Sequence, residues 1–388
     1  MLRPTSLYRF IPVVLLVASL SACKDDENPT TVTPQLRKSV EYTKLTDTTT
    51  YANFFVDETG AKTVDLTTGA NRLLIFRAIN TYNGTAVGTG ATLDATVLKN
   101  MFSNTGSPFS GTANTALNTS GVQLRNVTAS SLPAADAEKE RLRVEEGFPK
   151  IATASQSVTA TASEGKAGKL GTYLVDAQGI EWGQIIQKGL IGAFQVDYIG
   201  NVLLSDKNFS LDNTTLVAGK KYTQLEQNWD EIYGILTANT IYGSKATATS
   251  SGESFIGSYL WEYNITDFPK IHSALLKGRA AIVNNDTKVL KEQAAFIHLA
   301  MEKAISGAAL GYLSKWKTGT TDAARAHAMG EGLGFIYSLR YATLNKADAA
   351  FSDAILTGLI GAPNGFWGLT NAKIDAASAA IKTKFNVL

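Results

Sequence analysis

A chain of 388 residues, 44% hydrophobic and 18% charged, is too apolar to be disordered and long enough for one large domain or two ordinary ones. Its formal net charge is +2; without Arg3 and Arg9 the 36 basic residues fall to 34, equal to the acidic ones, so no nucleic-acid partner is expected. One cysteine excludes an intrachain disulfide and a cysteine-built zinc site.

Arg3 and Arg9 precede the short apolar run from Ile11 to Ala18. A basic start, a brief apolar stretch and small residues after it describe a secretory signal over residues 1–22. The run is too short to be a permanent membrane span. Leu20-Ser21-Ala22-Cys23 resembles the lipobox of bacterial lipoproteins, which implies cleavage before Cys23 and a lipid on its sulfur. One acyl chain holds a protein marginally, at about 0.8 kcal/mol per buried methylene, whereas two or three make a lasting anchor. Lys24, Asp25 and Asp26 resemble a signal that sends lipoproteins to the outer face of the outer membrane. The expected partner at this end is thus the membrane, through the lipid. Residues 23–40, with Pro29 and Pro34 and no periodicity, read as a lipidated flexible linker.

From residue 41 the pattern is mainly helical. Apolar residues recur at helical spacing in 72–79 and 93–102. Residues 104–133 are rich in Ser, Thr, Asn and Gly and read as a long excursion. Residues 171–179 are the best strand-and-turn candidate. Long helices then follow at about 181–205, 222–238, 267–284, 287–316, 321–343, 346–360 and 370–385. The later loops are short, so neighbours should run antiparallel. Caps are expected at Thr321-Asp322 and Thr370-Asn371. The fold class is all-α: a helical bundle with loop-rich insertions and at most a small β-hairpin. Residues 41–388 are read as a single large helical domain, with two packed bundles as the alternative.

Polar residues on two apolar helices carry the functional interest. In 181–196, Glu181, Gln184, Lys188, Gly192 and Gln195 share one narrow stripe, while most other directions are apolar. A helix apolar nearly all round is buried, so its polar stripe must face partners or a cavity; an edge helix with one wet face is the alternative. In 326–341, His327, Glu331, Gly334 and Ser338 fall within about 60° of arc. Gly330, Gly332 and Gly334 each weaken a helix by roughly 1 kcal/mol. That cost asks for a neighbouring helix, or a ligand or metal, lying against the backbone. His327 and Glu331 project together and could share a divalent metal. A hydrogen bond between them explains the spacing equally well.

His298 and Glu302 repeat that spacing at the edge of an apolar stripe and read as solvated or bridging. Asp230 and Glu231 feed the polar seam or face water. Arg279, flanked by small residues, should pair with a buried acid, and His272 reads as structural. The candidate seam is therefore Glu181, Lys188, Arg279, Glu302, His327 and Glu331, with Asp230 and Glu231 beside it.

There is no serine elbow, phosphate loop, dinucleotide fingerprint or HExxH, so no motif points to an enzyme. The order Arg72-Leu73, Leu98 to Asn104, Glu181 with Lys188 to Ala193, Trp229-Asp230-Glu231, Gly278 to Ile282, Glu302 and His327 to Gly332 resembles an uncharacterised family of Gram-negative envelope lipoproteins, described as a domain of unknown function. The resemblance covers residues 41–388. Members tend to be encoded beside imelysin-like proteins and TonB-dependent receptors, which implies partners of those kinds and a part in iron or haem acquisition. Imelysin-like proteins carry GxHxxE; here the pattern is HxxxE, so their site is not carried over. The expectation is a non-enzymatic surface lipoprotein with a helical binding domain, serving uptake of metal or another nutrient. A metal-assisted hydrolase, with His327 as ligand and Glu331 or Glu231 as general base, is one alternative. A glycan-capturing lipoprotein, using Trp182, Trp229, Trp261, Trp316 and Trp367 as sugar platforms, is another.

Overall fold

The computed structural model describes residues 37–112 and 114–387. The expected signal and most of the linker, with Cys23, Lys24, Asp25 and Asp26, lie outside the described residues.

In chain order the longer helices are α1 (Thr67–Thr89), α2 (Ala95–Ser103) and α3 (Ala134–Ser155). A hairpin of β1 (Gly168–Leu170) and β2 (Tyr173–Val175) follows. Then come α4 (Trp182–Leu190), continued by a π-helix (Ile191–Leu203), α5 (Gln224–Leu236) and α6 (Ile256–Tyr263). The chain ends with α7 (Phe268–Val283), α8 (Thr287–Thr318), α9 (Asp322–Ser338), α10 (Ala349–Ile360) and α11 (Asn371–Phe385). The fold is mainly α, and the hairpin is antiparallel with Lys169 opposite Leu174. Its turn begins at Gly171, whose φ of 62° a side chain would resist. The described chain falls in one compact unit.

Local chemistry explains the boundaries. Thr321 and Thr370 cap α9 and α11, accepting from the backbone N–H of Ala324 and Lys373. Thr223 and Glu226 form a capping box at the start of α5. Two helices escaped the pattern reading. The first is α3, whose charge-rich sequence carries Pro149 within it. The second is the short α6. The expected helix 181–205 changes character midway. At the junction the Gly192 N–H bonds Ser338 Oγ at 3.1 Å, drawn out of the α ladder by a neighbouring helix.

α8 and α9 pack most extensively and run antiparallel. Trp316 lies by Arg325, Tyr312 stacks on Phe335, and Glu302 receives the Leu344 N–H. α4 and α9 run parallel instead: Glu181 meets Gly330, Lys188 meets Gly334, and Gly192 meets Ser338. The antiparallel expectation applies to neighbours joined by short loops; here 131 residues separate Leu190 from Asp322, long enough for any return path.

Candidate functional site

The polar stripe of α4 and the glycines of α9 answer each other. A Cβ at Gly330 would sit 2.9 Å from Glu181 Cβ, and one at Gly334 would sit 2.5 Å from Lys188 Cβ. The glycines thus let α4 approach with its polar residues inward, and the stripe is not a wet edge. His327 Nδ1 lies 2.7 Å from Glu181 Oε2, and its Nε2 lies 3.6 Å from Glu331 Oε2. Lys188 Nζ lies 3.0 Å from Glu331 Oε1 and 5.4 Å from the centre of the Tyr259 ring. The hairpin supplies Tyr173, stacked on the His327 ring at 4.0 Å between centroids.

These residues do not fit a metal site. Both imidazole nitrogens face carboxylates, and the ammonium of Lys188 stands where a cation would balance Glu331. Among the described residues no group of three or more His, Cys, Asp or Glu side chains could hold a metal ion.

Burial pulls the His327 imidazole pKa down, but the hydrogen bond and charge of Glu181, with the charge of Glu331, outweigh it and hold the value above 6.5. Burial raises the Glu181 carboxyl, with His327 opposing. A raised histidine stabilises the fold fully below its unfolded pKa and loses that contribution as pH climbs through the folded value. We expect the His327 imidazole to titrate above 6.5 by proton NMR and to drop below its wild-type value in Glu181→Gln. With three histidines in the chain, the signals are separable, and an unmoved midpoint would refute the assignment.

The other seam candidates are not gathered here. Arg279, fully buried, bonds Asp230 at 2.8 Å and Glu226 at 2.6 Å. Tyr51 and Arg37 complete that cluster. Glu231 pairs with Arg72, beside Tyr198. Glu302 holds the backbone N–H groups of Leu344 and Asn345 at 2.8 and 3.1 Å, with His298 3.2 Å away. One expected seam is therefore four separate clusters. Helical periodicity fixes direction on a helix but not which helix lies opposite, so it could not tell them apart. Glu226 went unnoticed because its partner Arg279 lies on another helix, 53 positions away. His272, as expected, is a structural tie, joining Tyr242 N and Thr49 O.

A ligand-sized opening lies on another side of α4. A cleft of about 580 Å³ is walled by α3, α4, α9 and α10. Ile185, Ile186, Leu333, Leu356 and Ile360 make it apolar, and Trp182 closes one end. At the other end Arg143 pairs with Asp353 at 2.7 Å, which also holds the buried Arg340. The volume and the apolar walls, with Arg143, Glu146, Lys150 and Asp353 as charged groups, suit a small ligand. The sequence signal for it was faint, because its α3 wall carries Arg143 and Lys150 among other charges. The five tryptophans form no exposed platform: Trp229 and Trp316 are buried. Trp182 and Trp367 bond the turn at Asp176 and Ala177, and Trp261 is partly buried on α6.

Fold and site together define a mainly helical bundle with internal ion-pair clusters and a ligand-sized cleft. Within that class, the chain belongs to the family described as a domain of unknown function, DUF4856, whose model matches residues 51–388. No curated protein and no solved structure matches the chain. Among the described residues, no helix is long and apolar enough to cross a membrane.

Proposed function

We propose that this chain is a lipid-anchored protein of the outer-membrane surface whose helical domain captures a small nutrient. The observation that carries the binding role is the apolar cleft between α3, α4, α9 and α10. It is larger than packing defects, which rarely exceed a water molecule. The anchor rests on Cys23 and its preceding residues, and the surface address on Lys24, Asp25 and Asp26. Uptake of iron, another metal or haem, beside an imelysin-like protein or a TonB-dependent receptor, is the setting that the family resemblance implies. The His327 cluster serves as a brace behind the cleft, fixing α4 against α9.

Intact-cell proteolysis and growth test this reading together. Wild type should be digested from outside intact cells, and Cys23→Ser should leave the membrane fraction. A strain lacking the gene should grow slowly on limiting iron, and Leu356→Glu, which places a charge in the cleft, should fail to restore it. Protection from protease, or full rescue by Leu356→Glu across metal- and carbon-limited media, would refute the proposal.

A further inference from the structure

A second cleft, of about 660 Å³, opens between α8, the end of the π-helix and the turn at Thr343 and Leu344. It shares no lining residue with the first. His298 stands in its wall, only 7% exposed. The π-helix makes room for the ring: a Cβ at Gly200 would sit 2.7 Å from its Cδ2 and Nε2. π-Helical segments occur often at functional sites.

The hydrogen-bond accounting gives the cleft its character. Glu302, fully buried, is fixed by the Leu344 N–H and by both nitrogens of Asn345, and its carboxylate lies 3.2 Å from His298 Nε2. No aligned hydrogen bond joins Nε2 to that carboxylate, but the nearby negative charge favours a proton on Nε2 and so a lone pair on Nδ1. Among the described residues, Nδ1 has no hydrogen-bond partner. The other cleft groups also turn their donors inward. Ser131 gives its hydroxyl proton to the buried Asp197, and Thr343 gives its own to Asn201 Oδ1 at 2.6 Å. The Asn201 amide donates to Asp197 and to Tyr341 O, and Ser205 donates to Val202 O. Apart from the ammonium of Lys291 at the rim, what these groups leave facing the cleft is a set of acceptors.

An acceptor-lined cleft selects a ligand that brings donors. Net charge is disfavoured, since the rim cation Lys291 and anion Asp206 already pair at 2.7 Å. Phe209, half buried, and Leu344, 50% exposed, add apolar surface that suits the C–H face of a sugar ring. We propose that this cleft binds a neutral polyol through its hydroxyl groups, the chemistry of a carbohydrate. His298 Nδ1, Ser131 Oγ and Thr343 Oγ1 accept from it. This goes beyond the proposed function, and it rests on hydrogen-bond direction rather than on the scattered tryptophans.

The test is calorimetry on the full chain with maltotriose, cellotriose and xylotriose as probes and spermidine as a cationic control. At least one sugar should bind and spermidine should not. Thr343→Val, which deletes one acceptor on an exposed turn, should weaken binding about fivefold, the worth of one hydrogen bond. Phe209→Ala should weaken it further. Leu356→Glu, in the other cleft, should leave it unchanged, which separates failure here from failure of the proposed function. No heat with any of the three sugars overturns the proposal, as does binding indifferent to both cleft substitutions or preference for spermidine.

Discussion

Replacing Arg279 with alanine should cost about 3–5 kcal/mol of stability, because it strands two carboxylates in a dry interior. Arg279, Glu226 and Asp230 are all at 0% exposure, and the guanidinium holds both acids. Arg37 remains on Glu226 at 2.8 Å, so Asp230 takes most of the loss. Its carboxyl is already pushed up to about 6 by burial, against the pull of Arg279 and the hydrogen bond from Tyr51. A carboxyl with a raised folded pKa binds more protons when folded, so stability falls as pH rises from the unfolded value through the folded one. Without Arg279 that fall should be deeper and reach higher pH. Urea melts at pH 4 and pH 7 check this: Arg279→Ala should be closer to wild type at pH 4. Equal losses at both would show that Asp230 does not govern the effect.

Gly334→Ala should destabilise although it improves helix propensity. The alanine gains up to about 1 kcal/mol as a helix former. Its methyl would meet Lys188 Cβ at 2.5 Å and Gln184 O at 3.1 Å, and the second contact is rigid backbone. Overpacking of that kind costs about 1–3 kcal/mol. The net result should be a loss, seen as an earlier urea midpoint with an unchanged slope. Gly358, in α10 with nothing within 4 Å of an added Cβ, is the internal control: there the same substitution should stabilise. A gain at both positions would mean that α4 and α9 are looser than these contacts require.

The helical class, the capped starts of α9 and α11 and the burial of Arg279 on acids could be read from sequence, since each is a local signal of spacing, caps or small flanking residues. Gly330 and Gly334 ask for something lying against the backbone, but only the fold shows that it is α4 rather than a ligand. The grouping of charged residues could not be read, because it depends on which helices touch. Arg72 and Glu231 lie 159 positions apart, and no helical period joins them. The cleft was hidden for the same reason, and because its α3 wall looks charged rather than apolar when taken alone.

The Arg143–Asp353 pair that closes one end of the cleft joins positions 210 residues apart. The hairpin, α4 and most of the bundle lie in sequence between them. Contacts of such separation are among the slowest to form and close only after the intervening chain has collapsed. A polypeptide still emerging, or still being threaded across a membrane, has made α3 but not α9 or α10. It therefore has no cleft. Under the proposed function, capture would begin only when α9 and α10 have arrived, so completion of folding would itself be the gate on binding.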